Sequence, residues 1–170
     1  LIDVVRERFP AGSGISFIDL DTGEGDFIRA FEAFLKGAGY PDARGAGTEP
    51  LSSVISDADA AARGKILHAN AQFPEEFSGL EQRSFDIVTV NNIETAPAAL
   101  AQRAAELLKP GGLFLVTIEE SDVIDGRDRG ILDAIRSAGF DIELADVPTD
   151  YPAYRTLFRS AKLAVARPRK

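Results

Sequence analysis

Apolar runs alternate with helical patterns along almost the whole 170 residues, and this alternation constrains the fold more than any other feature. Ile15-Ser16-Phe17-Ile18-Asp19-Leu20 reads as a buried strand. Phe27, Ala30, Phe31, Phe34 and Leu35 then recur at i, i+3, i+4, i+7 and i+8, the stripe of an amphipathic helix. Glycines at 37 and 39 should end that helix, because glycine favours a helix C-terminus. A short second strand is expected over residues 45–49, and a helix over residues 51–62 with Leu51, Val54, Ile55 and Ala58 on one face. Lys65-Ile66-Leu67-His68 is the third strand and Phe85-Asp86-Ile87-Val88-Thr89-Val90 the fourth. A helix over residues 97–108 groups Leu100, Ala104, Leu107 and Leu108. Lys109-Pro110-Gly111-Gly112 turns the chain into a fifth strand over residues 113–118. Ile131, Ala134, Ile135 and Ala138 mark a further helix before Gly139, and two last strands are expected near residues 141–145 and 161–166.

Strands separated by helices of this length imply βαβ units and a parallel sheet with helices on both faces. The continuous apolar runs of strands one, four and five fit strands buried on both sides. No clear helix separates the last two strands, so they are expected to pair as an antiparallel hairpin. The fold class is therefore α/β: a three-layer, doubly wound, mostly parallel seven-stranded sheet with a C-terminal antiparallel hairpin. Nothing divides the chain, and residues 1–170 are read as a single domain. Hydrophobic residues make up 45% of it, enough for a sizeable core.

Composition excludes several chemistries. With no cysteine there is no disulfide, thiolate metal site or cysteine nucleophile, and the single histidine, His68, rules out a multi-histidine site, so no metal is expected. No apolar run approaches membrane-spanning length. Arg6, Glu7 and Arg8 argue against a signal peptide, and a cytoplasmic location is expected. Leu1 is not a methionine, which is compatible with a trimmed chain or a piece of a longer protein. The net charge of −8 argues against attraction to nucleic acid by bulk electrostatics.

In open α/β sheets ligands bind beyond the carboxyl ends of the strands, so the residues that follow each strand are the candidates. After strand one comes Asp19-Leu20-Asp21-Thr22-Gly23-Glu24-Gly25-Asp26. Gly23 and Gly25 let the backbone turn sharply and leave room for a ligand. A dinucleotide fingerprint needs a further glycine where Ile28 stands. The acids at 19, 21, 24 and 26 would repel a pyrophosphate and favour a ligand bearing ammonium and sulfonium groups. After strand two, Glu49 is placed to accept hydrogen bonds from ribose hydroxyls, followed by Pro50 and Leu51. After strand three, Asn70 could hydrogen-bond an adenine edge, or could serve turn chemistry alone. After strand four, Asn91 and Asn92 could line the reacting end of a cofactor, while Asn92 or Glu94 could instead cap the next helix.

These places together resemble the class I S-adenosylmethionine-dependent methyltransferases over residues 15–167. Ile18 to Gly25 is similar to the family's glycine motif, with Asp21 where its first glycine usually stands. Glu49-Pro50 resembles its ribose-binding acid, and Asn70-Ala71 its Asp-Ala adenine contact. Phe85-Asp86-Ile87-Val88 resembles its fourth-strand motif. Leu107-Leu108-Lys109-Pro110-Gly111-Gly112-Leu113 is the most specific match, to its turn before strand five. The resemblance implies a Rossmann-like methyltransferase fold and S-adenosylmethionine as cofactor. The cofactor site would comprise Asp19, Asp21, Thr22, Gly23, Gly25, Glu49, Pro50, Leu51, Asn70, Ala71, Asn91 and Asn92.

Methyl transfer is an in-line displacement, so orientation carries much of the rate and no catalytic residue is assigned. His68 is read as a packed or surface histidine rather than a base. The adenine and glutamine N-methyltransferases of the family carry Asn-Pro-Pro-Tyr after strand four. Here Asn91-Asn92-Ile93-Glu94 stands there, which points to a small-molecule acceptor, with Tyr151 and Tyr154 available to line its pocket. That pocket is expected to be open, or completed by further N-terminal residues or another subunit of a homo-oligomer. Two other classes compete with an active methyltransferase: a non-catalytic cofactor-binding or interaction domain, and a nicotinamide-dependent enzyme, which Ile28 and the acidic loop disfavour.

Overall fold

The computed structural model describes residues 1–20, 26–48, 66–67, 83–91, 96–119, 123, 125–147 and 160–169. Among these residues, helices α1 (Ile2–Arg8), α2 (Asp26–Gly37), α3 (Pro97–Leu107) and α4 (Asp128–Ser137) accompany seven strands. The strands are β1 (Ser16–Leu20), β2 (Arg44–Thr48), β3 (Ile66–Leu67), β4 (Phe85–Asn91), β5 (Leu108–Glu119), β6 (Phe140–Ala145) and β7 (Ser160–Pro168). They form one sheet in the order β3-β2-β1-β4-β5-β7-β6. The first five run parallel. β7 is antiparallel to both β5 and β6, between which it lies. This is the 3-2-1-4-5-6 order of dinucleotide folds with one reversed strand inserted before the last.

Side-chain alternation along the strands divides the core in two. Ile18, Leu20, Val88, Val90, Phe114, Val116, Ala164 and Ala166 face α3 and α4, where they meet Leu100, Ala104, Leu107, Ile131 and Ile135. Phe17, Ile87, Leu113, Leu115, Leu163 and Val165 face the other way, onto α1 and α2. Residues one apart in a strand thus enter opposite layers, as a period of two requires. On the second face Phe31 of α2 packs edge-on against Phe17 at 4.9 Å between ring centroids and stacks on Phe27 at 5.3 Å.

α2 lies close over β2 because β2 presents a glycine there. A Cβ on Gly45 would come within 2.2 Å of the Phe17 ring and 2.7 Å of Ile28 Cγ2. α2 ends where the glycines suggested. Gly39 has φ +103°, and Tyr40 N–H and Gly39 N–H donate back to the Leu35 and Lys36 carbonyls, closing a Schellman motif.

Several expectations need correction. α1 was not foreseen, although Leu1, Val5 and Phe9 recur at the helical spacing and Val5 is fully buried. The third strand is described over Ile66–Leu67, and the expected flanking residues Lys65 and His68 lie outside the described residues. The fifth begins at Leu108, earlier than the turn suggested. Phe85 pairs with Leu108 and Ile87 with Leu113, so the chain bulges over residues 109–112 while the ladder continues. The N-cap of α3 is Ala96, in a left-handed conformation, so neither Asn92 nor Glu94 occupies the capping position. Pro97 at the first helical turn helps start this helix instead, since its fixed φ suits that position. The helix expected over residues 51–62 lies outside the described residues.

Candidate functional site

The sheet's direction of winding reverses between β1 and β4, and the two strands are in register there. Asp19 stands opposite Thr89, and Leu20 opposite Val90. The carboxyl ends of two such strands are where an open α/β sheet leaves a crevice for a ligand.

The two faces of the sheet behave differently at this end. On the α3/α4 face apolar residues run through to the carboxyl ends, as Leu20, Val90 and Ile118. On the α1/α2 face the apolar rows stop short. Phe17 is followed on its face by Asp19, Ile87 by Thr89 and Asn91, and Leu115 by Thr117. Asp19, Thr89 and Thr117 are buried, at 1%, 0% and 1% exposure. Burying a carboxylate is costly unless hydrogen bonds compensate. Here Thr89 Oγ1 donates to Asp19 Oδ1 at 2.5 Å, and Asn91 Nδ2 donates to the same oxygen at 3.0 Å. A hydroxyl this close to a carboxylate oxygen is the short, charge-assisted kind. Asn91 is thereby oriented with its amino group toward Asp19.

The structure therefore brings together two of the expected cofactor residues, Asp19 and Asn91, in a direct hydrogen bond, and adds Thr89, which sequence reasoning had missed, as a second donor to the same Asp19 oxygen. The signal was present: Thr89 and Asn91 are polar at the same parity as buried Ile87. Asp21, Thr22, Gly23, Gly25, Glu49, Pro50, Leu51, Asn70, Ala71 and Asn92 lie outside the described residues, as do His68, Tyr151 and Tyr154. Thr48, which directly precedes Glu49, ends β2 fully buried, and its Oγ1 has no hydrogen-bond partner among the described residues. Among the described residues no group of three or more histidine, cysteine or acidic side chains could hold a metal ion. No helix among them is long and apolar enough to cross a membrane.

A buried anion at the switch point suits the ammonium and sulfonium of S-adenosylmethionine and would oppose a pyrophosphate. The residues present thus fit that cofactor better than a dinucleotide.

Solved structures share this fold. A chain from the complex of the Haloferax volcanii Trm112 methyltransferase activator with a methyltransferase superposes with a TM-score of 0.63 at 20% identity, over 99% of this chain and 88% of that one. The antibiotic-resistance methyltransferase Kmr gives 0.58 at 19% identity, over 99% and 93%. The chain has the methyltransferase fold. A third similar structure is the Haemonchus contortus phosphoethanolamine N-methyltransferase 2 with phosphomonomethylethanolamine and S-adenosylhomocysteine, at 0.63 and 15% identity over 99% and 52%. No family model matches the sequence, and no curated protein matches it. Methyltransferases of this fold also include a polyketide synthase carbon-methylating domain and a precorrin methyltransferase. Acceptors this diverse on one architecture mean that the fold does not select the acceptor.

The most specific sequence match, the turn before strand five, and the fourth-strand motif lie at the other end of the sheet. Asp86 Oδ2 accepts from Ser16 N–H and from Lys109 Nζ, at 2.8 and 2.9 Å, and lies 2.8 Å from Ser16 Oγ. Gly111 has φ +81°, and a Cβ on Gly112 would sit 2.8 Å from the Asp86 carbonyl oxygen. The fourth-strand motif and the turn before strand five therefore lock the amino ends of β1, β4 and β5. Their work is structural, one strand length from the ligand end.

Proposed function

We propose that this chain is an S-adenosylmethionine-dependent methyltransferase acting on a small molecule. The observation that carries the reading is the buried Asp19 carboxylate at the β1/β4 switch point, held by Thr89 and Asn91. Asp19 supplies negative charge where the cofactor's cationic end would lie, and Asn91 lines the same edge. The glycine loop at residues 21–25 would pass over the cofactor, Glu49 would hold its ribose, and Asn70 its adenine. When bound, the cofactor supplies an electrophilic methyl group on sulfonium. The chain's own part is to bind it, align it with the acceptor and exclude water, from which orientation alone gives large rate factors.

The net charge of −8 supports a small acceptor over nucleic acid, as does the absence of Asn-Pro-Pro-Tyr after β4. A second reading is a domain that binds the cofactor without turnover, and it is favoured by Asp21 at the usual position of a glycine.

Thermal unfolding with S-adenosylmethionine, S-adenosylhomocysteine, NAD or no ligand tests the cofactor. A ligand at about a hundred times its Kd adds roughly 2.7 kcal/mol, a shift of several degrees for a domain this size. A shift with the two adenosyl ligands alone supports the proposal. A shift with NAD alone, or with none, removes it. Radiolabelled methyl transfer to candidate acceptors then separates the active enzyme from the second reading.

A further inference from the structure

Thr89 lies between Val88 and Val90, and valine is its near-isostere. A fully buried site in a parallel strand would ordinarily take the valine, since a buried hydroxyl must find a partner. Thr89 finds Asp19 Oδ1 at 2.5 Å, whereas the Ile18 carbonyl is 3.4 Å away, so its single proton is committed to the carboxylate. Asn91, two residues on and on the same face of β4, gives its amide proton to that same oxygen. Two donors from one strand thus converge on one carboxylate oxygen of the next. A carboxylate held by a single donor can still swing about χ1 and χ2. Held by two, it has one rotamer.

We infer that Thr89 is a positioning residue, which fixes the Asp19 carboxylate and the Asn91 amide for the amino-acid end of an adenosyl ligand. This rests on reading the site as an S-adenosylmethionine pocket. Thr89 has no exposed surface and acts only through Asp19. Its effect should therefore be confined to ligands whose cationic ammonium lies near that carboxylate, and be absent for a ligand without the amino-acid part.

Calorimetric and competition titrations with S-adenosylhomocysteine and with 5′-methylthioadenosine, which lacks the amino-acid part, make the test. Thr89→Val is expected to weaken S-adenosylhomocysteine about tenfold and to leave 5′-methylthioadenosine within about twofold, while Thr89→Ser restores the wild-type value. In an Asp19→Asn background Thr89→Val should cost nothing further, because the coupling it reports has been removed. Equal weakening of both ligands, or none, in a Thr89→Val protein with native circular dichroism overturns the positioning role while the cofactor reading stands. So does full additivity with Asp19→Asn. A wild-type chain that binds neither ligand overturns the cofactor reading itself, and this role with it.

Discussion

Asp86, near the amino end of β4, and Lys109, in the bulge of β5, face each other with Oδ2 and Nζ 2.9 Å apart, at the end of the sheet remote from Asp19. The Asp86 carboxylate also takes the backbone N–H of Ser16, so one side chain ties three strands whose sequence positions span more than ninety residues. Its loss should be felt in stability and not in binding. Asp86→Ala leaves the Ser16 amide without its partner and is expected to cost roughly 1–3 kcal/mol in denaturant unfolding. Lys109→Met removes a half-exposed ion pair and should cost less, about 1 kcal/mol or under. Adenosyl-ligand affinity of the folded protein should match wild type in both; a selective loss of affinity would place this network in the site.

Gly45 is required by the approach of α2 to β2. Gly45→Ala forces a methyl into the Phe17 ring and Ile28, both fully enclosed by the α1/α2 core. Overpacking of this kind typically costs about 1–3 kcal/mol, and a lowered Tm with an unchanged unfolding slope would show it. Gly37, with nothing near its missing side chain, is the control: Gly37→Ala should be neutral or slightly stabilising.

Much of this was open to reading in the sequence, and what was not has physical causes. α2 and α4 announced themselves because each has one apolar stripe against the sheet and one charged face. β4 and β5 did so because both of their faces are buried. α1 escaped notice because seven residues give only two turns, too few for a periodic pattern to stand out. Asp19 and Asn91 were named as candidates from their place at strand ends. Thr89 was missed because threonine suits a strand by its β-branched shape, and the hydroxyl that matters here does not alter the hydrophobic pattern. The bulge in β5 was invisible for a different reason: a turn motif in the chain does not reveal that the strand on its far side resumes the same ladder.

Thr48 gives an inverse expectation. Its hydroxyl is buried without a partner among the described residues, so the isosteric Thr48→Val should leave stability unchanged or raise it. A higher denaturant midpoint would bear this out. A fall of more than about 1 kcal/mol would show that the hydroxyl has a partner in solution.

The Lys162 ammonium, hydrogen-bonded to Asp146 at 2.6 Å, holds that carboxyl below the ordinary aspartate value of 3.8. A carboxylate whose folded pKa is depressed stabilises the fold above its unfolded pKa, and that contribution fades as the pH falls through the folded value. The Asp146 carboxyl carbon, followed by NMR, should therefore titrate below the ordinary range. Lys162→Met should return it upward, and added salt should do so in part because the pair is exposed.

Glu49→Ala tests the expected ribose contact. Adenosyl-ligand affinity should fall at least tenfold, about 1.4 kcal/mol, by titration calorimetry. An unchanged affinity would remove Glu49 from the site.

β7 follows β6 in the chain, yet it belongs between β5 and β6. Until it emerges, β5 has an open edge of unpaired backbone groups, and β6, whose strand partner among the described residues is β7, has no strand to pair with. The nascent chain therefore cannot add its strands to the rim in the order in which they are made. β6 must wait until β7 has emerged and paired with β5. An intermediate lacking β7 would expose two templates for pairing with other chains, so ribosome-bound chains halted before residue 160 should be the species most prone to aggregate.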